Sequence, residues 1–272
     1  MTSDVLEDWL TKSGTRNAHV GAQIKKISLN KLTFSDSLLL HSIRDTAFKY
    51  HSPLRELLIA DQHLHDIDAH AFQPLVGLQV LELPNNRLTH LDAGLFASLK
   101  SLVRLDLSNN QLERLEPKLF EHLTHLEELS LHDNELRLVD KIVFSRLRRL
   151  KRLRLSRNAI ALVDAQAFQR NLNLEAIHLE ANKLKSLDKD LLRGLNELQL
   201  LDVADNQLGM LCESRTFLSL INLKELNLSR NRLMSVDARV FRNLTSLRVL
   251  NLEDNAISRV DNMSFKMLSD LR

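Results

Sequence analysis

The chain has 272 residues, of which 44% are hydrophobic, with leucine dominant, and it holds only six glycines and four prolines. That is enough apolar material for a core and too little Gly and Pro for a collagen-like or linker-rich chain. Thirty-seven Lys and Arg against 35 Asp and Glu leave a net charge of +2, so overall charge gives no reason to expect nucleic acid or an anionic membrane as partner. One cysteine, Cys212, excludes an internal disulfide framework.

Taken in chain order, residues 1–20 carry Asp4, Glu7, Asp8, Lys12 and Arg16 and hold no apolar run of signal-peptide length. Residues 4–12 predict a short amphipathic helix, with Ser3 or Asp4 as cap and Gly14 as stop. Ile24 to Leu29 predicts an extra strand, and residues 1–28 together form an N-terminal cap of the kind a stacked array needs. A repeat then takes over. Leu78 to Ser101 reads LQVLELPNNRLTHLDAGLFASLKS, and Leu102 to His125 reads LVRLDLSNNQLERLEPKLFEHLTH. Further units start at Leu126, Leu150, Leu174, Leu198, Leu223 and Leu247, and earlier ones at Leu54 and Leu29. Residues 29–270 thus make ten units, most of 24 residues, with 25 in those starting at Leu29 and Leu198. Residues 271–272 begin an eleventh unit that is cut off. The last coil is expected to expose its core, as if the native protein continued. No eighteen consecutive residues are apolar, so no segment reads as a membrane span.

The columns of the repeat have physical meanings. Leucine or an equivalent recurs at unit positions 1, 4, 6, 11 and 14. The LxxLxL segment has the period of a strand, so each unit supplies one short strand to a parallel sheet whose outward positions 2, 3, 5, 7 and 8 form a concave face. Position 9 is Gln62 and then Asn86, Asn110, Asn134, Asn158, Asn182, Asn206, Asn231 and Asn255. A buried amide there can satisfy the backbone of the turn after each strand. Position 19 is Phe48, Phe72, Phe96, Phe120, Phe144 and Phe168, then Leu192 and a shifted Phe217, then Phe241 and Phe265. These predict a buried spine on the convex side, and the tenth Phe, Phe34, falls at an inward strand position. The fold expected is an α/β solenoid with a parallel concave sheet and a mostly irregular convex side.

The pattern LxxLxLxxNxLxxLxxxxFxxLxx resembles the 24-residue "typical" class of leucine-rich repeat, over roughly residues 29–270. That resemblance implies a horseshoe fold, a recognition role without catalysis and, since the class occurs mostly in receptor ectodomains and other exported animal proteins, an extracellular location. ISLNKLTFSDSLLLHSIRDTAF followed by LRELLIADQHLHDIDAHAF also resembles the first repeats of insect leucine-rich immune proteins, although the paired cysteines of their flanking caps are missing and no coiled coil follows.

No catalytic constellation is present. The glycines never form a phosphate-binding loop, no G-x-S-x-G elbow occurs, and Cys212 has no neighbouring His. Cys212 reads as a half-buried structural thiol, or as half of an intermolecular disulfide if the protein is exported. His63, His65 and His70 share a coil with Asp66 and Asp68, but a solvated surface explains them better than a metal site, and the same holds for His122 and His125. No cofactor or metal is expected. Asn227, Asn243 and Asn262 head glycosylation sequons, of which about two would arise by chance, and a glycan on Asn227 would obstruct the concave face.

The concave face is the candidate partner-binding surface, through Arg104, Glu128, Lys151, Arg152, Arg154, Arg157, His178 and Asp202. The stretch from Arg137 to Arg157 holds nine Lys and Arg against one Asp. Four of these cations, Lys151, Arg152, Arg154 and Arg157, line one coil. They suit an anion such as a sulfated glycan or an acidic protein, or they form a self-satisfied ladder with acidic neighbours about 4.8 Å away on adjacent strands, such as Arg104, Glu128 and Arg152 in one row. The ladder explains more of the rows; only Arg154 lacks a carboxylate in its own. Trp9 and Tyr50 lie near the N-terminus, so the face lacks aromatic anchors and binding should be polar and salt-sensitive. Two functions stay open, an extracellular receptor or secreted innate-immunity module that binds another protein, and an intracellular scaffold. Nucleic acid is not expected as a partner.

Overall fold

A computed structural model describes residues 26–30, 41–45, 47–49, 51–211 and 215–272. The helix expected over residues 4–12, Phe34, Tyr50 and Cys212 lie outside these residues. The chain divides into two compact units, Met1–Glu135 and Leu136–Arg272.

In the first unit, β1 (Lys26–Asn30), β3 (Glu56–Ala60), β5 (Val80–Glu82), β6 (Arg104–Asp106) and β7 (Glu128–Ser130) pair in that order, all parallel, while β2 (Ser42–Ile43) and β4 (Asp66–Ile67) form a separate short pair. In the second, β9 (Arg152–Arg154), β11 (Ala176–His178), β12 (Leu200–Asp202), β13 (Glu225–Asn227) and β15 (Val249–Asn251) pair likewise. There β8 (Leu138–Val139) pairs with β10 (Leu162–Val163), and β14 (Ser235–Val236) with β16 (Arg259–Val260). Each unit is a solenoid of stacked coils. The side opposite the main strands carries turns and no helix among the described residues.

Every strand register places equivalent repeat positions side by side, for example Leu105 opposite Leu81 and Leu129. These inward leucines are fully buried or nearly so. At the start of the array the register differs from the expected one. Ile27 lies opposite Leu57, the place that a unit starting at Leu29 would give Leu32. The strand expected as an addition beside the first repeat is therefore the first strand of the array, and a boundary between residues 28 and 29 falls inside β1.

The amide column works as its chemistry predicts. The Asn110 side chain donates to the carbonyls of Leu83, Leu107 and Ser108 at 3.0–3.1 Å and accepts from the Leu88 amide at 3.0 Å. Asn86, Asn134, Asn182, Asn206 and Asn231 repeat the pattern. The residue just before each amide adopts a left-handed backbone, from Asp61 (φ 56°) to Asp254 (φ 53°). Asn and Asp tolerate that conformation, which accounts for Asp61, Asn85, Asn109, Asp133, Asp205 and Asp254; Arg157, Ala181 and Arg230 adopt it at a cost.

On the turn side, Phe48, Phe72, Phe96 and Phe120 stack with ring centroids 5.9–6.4 Å apart in the first unit. Phe144 and Phe168 stack at 6.4 Å in the second, as do Phe217, Phe241 and Phe265 at 6.2–6.3 Å beyond Leu192. Phe265 in the last coil is 40% exposed.

Candidate functional site

With inward side chains in the core and position-9 amides holding turns, the outward positions of the main strands are the surface each unit has free for recognition. The two units differ there. In the first, charge meets charge. Lys26 bonds Glu56 at 2.7 Å, and that hydrogen bond, with the carboxylate's charge, raises the Lys26 pKa. Arg104 reaches Glu128 at 3.1 Å and Glu82 at 3.8 Å. Exposed pairs of this kind contribute at most about 1 kcal/mol each, but they cancel the local field.

In the second unit one row runs Arg152, Ala176, Leu200, Glu225, Val249 and the next runs Arg154, His178, Asp202, Asn227, Asn251. Lys151 sits beside Glu175, whose backbone amide donates to its carbonyl at 2.8 Å. Lys151, Arg152 and Arg157 are engaged by neighbouring groups. Arg154 is exposed, next to His178, and makes no ion pair among the described residues. His178 leans toward Glu180 at 3.7 Å rather than toward Asp202. Asp202 instead accepts from the Asn227 side chain at 3.1 Å and from the Ala204 amide at 2.9 Å.

Charge reasoning missed the apolar part of this face. Leu200 and Val249, with Asp202, Glu225, Asn227 and Asn251 around them, line a shallow depression of about 170 Å³. Val249 is 50% exposed and Leu200 half-buried although both point outward. Scanning the outward position-3 column for hydrophobicity would have found them, since Ala176, Leu200 and Val249, like Val80 earlier, interrupt its charges.

The sequons differ in geometry. Asn227 is held on the sheet, accepting from the Ser229 amide and hydroxyl while donating to Asp202. Asn243 donates to the Leu218 carbonyl at 3.1 Å, and Asn262 is exposed. His65 stacks on His41 with centroids 5.6 Å apart, and His70 lies 3.6 Å from Asp68.

The leucine rich repeat family matches residues 27–87, 52–112, 76–136, 100–160, 148–208 and 215–272. The chain belongs to the leucine-rich-repeat family. That family is one of recognition modules rather than enzymes, and this chain is such a module. Among solved structures it is similar to TLR13, a Toll-like receptor, in its complex with ssRNA13, at 24% identity and a TM-score of 0.78 over 100% of this chain and 40% of that one. It is also similar to the Drosophila Toll–Spätzle complex, at 24% identity and 0.72 over 90% of this chain and 37% of that one. The chain thus spans about two fifths of the length of these neighbours, and the likeness is one of fold. One neighbour holds RNA, so nothing in the comparison supports excluding nucleic acid as a partner. No curated protein matches the sequence.

Proposed function

We propose that this leucine-rich-repeat chain is the ligand-binding part of an extracellular receptor or secreted innate-immunity protein, and that it recognises a protein through the outward sheet face of residues 136–272. The observation that carries this is the Leu200–Val249 depression, an apolar recess ringed by Asp202, Glu225, Asn227 and Asn251 on an otherwise polar sheet. Protein interfaces place a desolvated apolar anchor inside a polar rim, and this recess offers one side chain's worth of such a pocket. Arg154, a cation without an ion pair among the described residues, stands two strands from Asp202 and supplies charge for orientation. The similar Toll–Spätzle complex, a molecular hub in Drosophila development and innate immunity, agrees with this class of partner.

The test is to probe an array of secreted and cell-surface proteins with the whole chain, then measure affinity for each partner with single variants whose folding is checked by circular dichroism. Leu200→Glu should weaken binding at least about tenfold, and Arg154→Glu should weaken it less and reduce its salt dependence. Leu172→Glu, on the turn side, should leave affinity unchanged. Full affinity in both sheet variants would place the binding surface elsewhere.

A further inference from the structure

The structure divides the basic stretch between two faces. Lys151, Arg152 and Arg154 lie on or beside β9 and belong to the sheet face, whereas Arg146, Arg148 and Arg149 lie in the turn before it. Arg170 joins them from the next coil. The Asn171 side chain donates to the carbonyls of Phe144 and Leu147 at 2.9 and 2.8 Å, and Asn173 donates to that of Arg148 at 2.7 Å. These bonds dock one turn on the other, with Arg170 beside Arg146. The coil separation is near the 6.4 Å between the Phe144 and Phe168 rings beneath. All four arginines are exposed, and none makes an ion pair among the described residues.

The nearby carboxylates are committed. Asp140 and Asp164 open the two turns, where they accept from the amides of Ile142 and Gln166 at 2.8 and 2.9 Å. On the following coil Arg193 lies 4.0 Å from Asp190. What remains is four adjacent guanidinium groups on a solvated, rigidly hydrogen-bonded surface, on the side opposite the sheet.

We propose that Arg146, Arg148, Arg149 and Arg170 form a binding site for a sulfated polysaccharide. A guanidinium pairs with oxyanions through two parallel N–H groups, and clustered arginines on adjacent coils suit a linear chain of closely spaced anionic groups better than a single ion. Nucleic acid carries such charge too, but its single strands bind largely through stacking on aromatic side chains. The one exposed phenylalanine ring among the described residues, Phe265, lies in the last coil, away from the patch. The site shares no residue with the sheet face, so it stands whether or not a protein binds there.

The experiment uses the whole chain and a heparin octasaccharide as probe, by interferometry at about 0.15 M salt. Wild type should bind, with an affinity that falls steeply as salt rises. The variant R146Q/R148Q/R149Q/R170Q should lose at least about tenfold. The charge-matched variant R239Q/R242Q/R259Q/K266Q should keep most of the affinity, with circular dichroism confirming that both are folded. The proposal fails if wild type does not bind, if the matched variant loses as much, or if a single-stranded oligonucleotide of equal charge competes as well as the octasaccharide.

Discussion

Among the described residues, coil after coil closes on a buried or part-buried asparagine amide, from Asn86 to Asn255, and that makes single residues costly to change. Removing the Asn110 carboxamide would strip the Leu88 amide and the Leu83 carbonyl of their side-chain partner inside a dry core. An orphaned buried polar group costs about 1–3 kcal/mol, so Asn110→Ala should destabilise by about 2–4 kcal/mol, read as a fall in the urea midpoint. His51 presents the opposite case. It fills a place that leucine holds in the next coils (Leu75, Leu99, Leu123), is buried, and neither ring nitrogen has a partner among the described residues. Burial lowers its pKa below the ordinary 6.5. The folded chain therefore binds this proton less readily than the unfolded chain. The stability tied to the neutral ring is present above about pH 6.5 and is lost progressively as pH falls toward the lowered folded value. His51→Leu should raise the melting temperature at pH 7.5 and shrink the drop between pH 7.5 and 5; an unchanged drop would mean that His51 is not the acid-sensitive group.

At the scale of the element, the phenylalanine spine ties neighbouring coils. Phe96 is wholly buried between Phe72 and Phe120, so Phe96→Ala should cost about 3–5 kcal/mol, seen as an early-melting transition in urea because coils contact only their neighbours. A loss under about 1 kcal/mol would contradict the spine's role. These columns were legible in the sequence because a repeat states the same burial many times: one phenylalanine at position 19 is ambiguous, but nine stacked rings are not. The start of the array was harder to read. Ile24–Leu29 fits a strand, but nothing in its residues says which partner it takes, and the register of Ile27 opposite Leu57 comes only from pairing. The left-handed residue before each amide left a signal in the frequent Asn and Asp, and Arg157, Ala181 and Arg230 obscured it. The recess at Leu200 and Val249 escaped notice because it depends on three strands lying side by side, and each of its leucines alone looks like one more of many.

At the scale of the whole molecule, two units built from one repeat present different surfaces. Among the described residues of 1–135, the sheet face pairs Lys26 with Glu56 and Arg104 with Glu128. That of residues 136–272 keeps an apolar recess and Arg154 open, while its turn side gathers four arginines. The repeat leaves its outward positions free to vary without disturbing the core, which is why the fold follows from the pattern and the partner does not. Hydroxyl-radical footprinting of the chain with and without a partner found on the protein array distinguishes recognition through the sheet face from recognition elsewhere. It reports side-chain accessibility at residues that carry the proposal. Oxidation of Leu200, Val249 and His178 should fall in the complex while that of Leu138, Leu162 and Leu172 stays constant. Protection at the latter three, with Leu200 and Val249 still oxidised at the free rate, would contradict recognition through the sheet face.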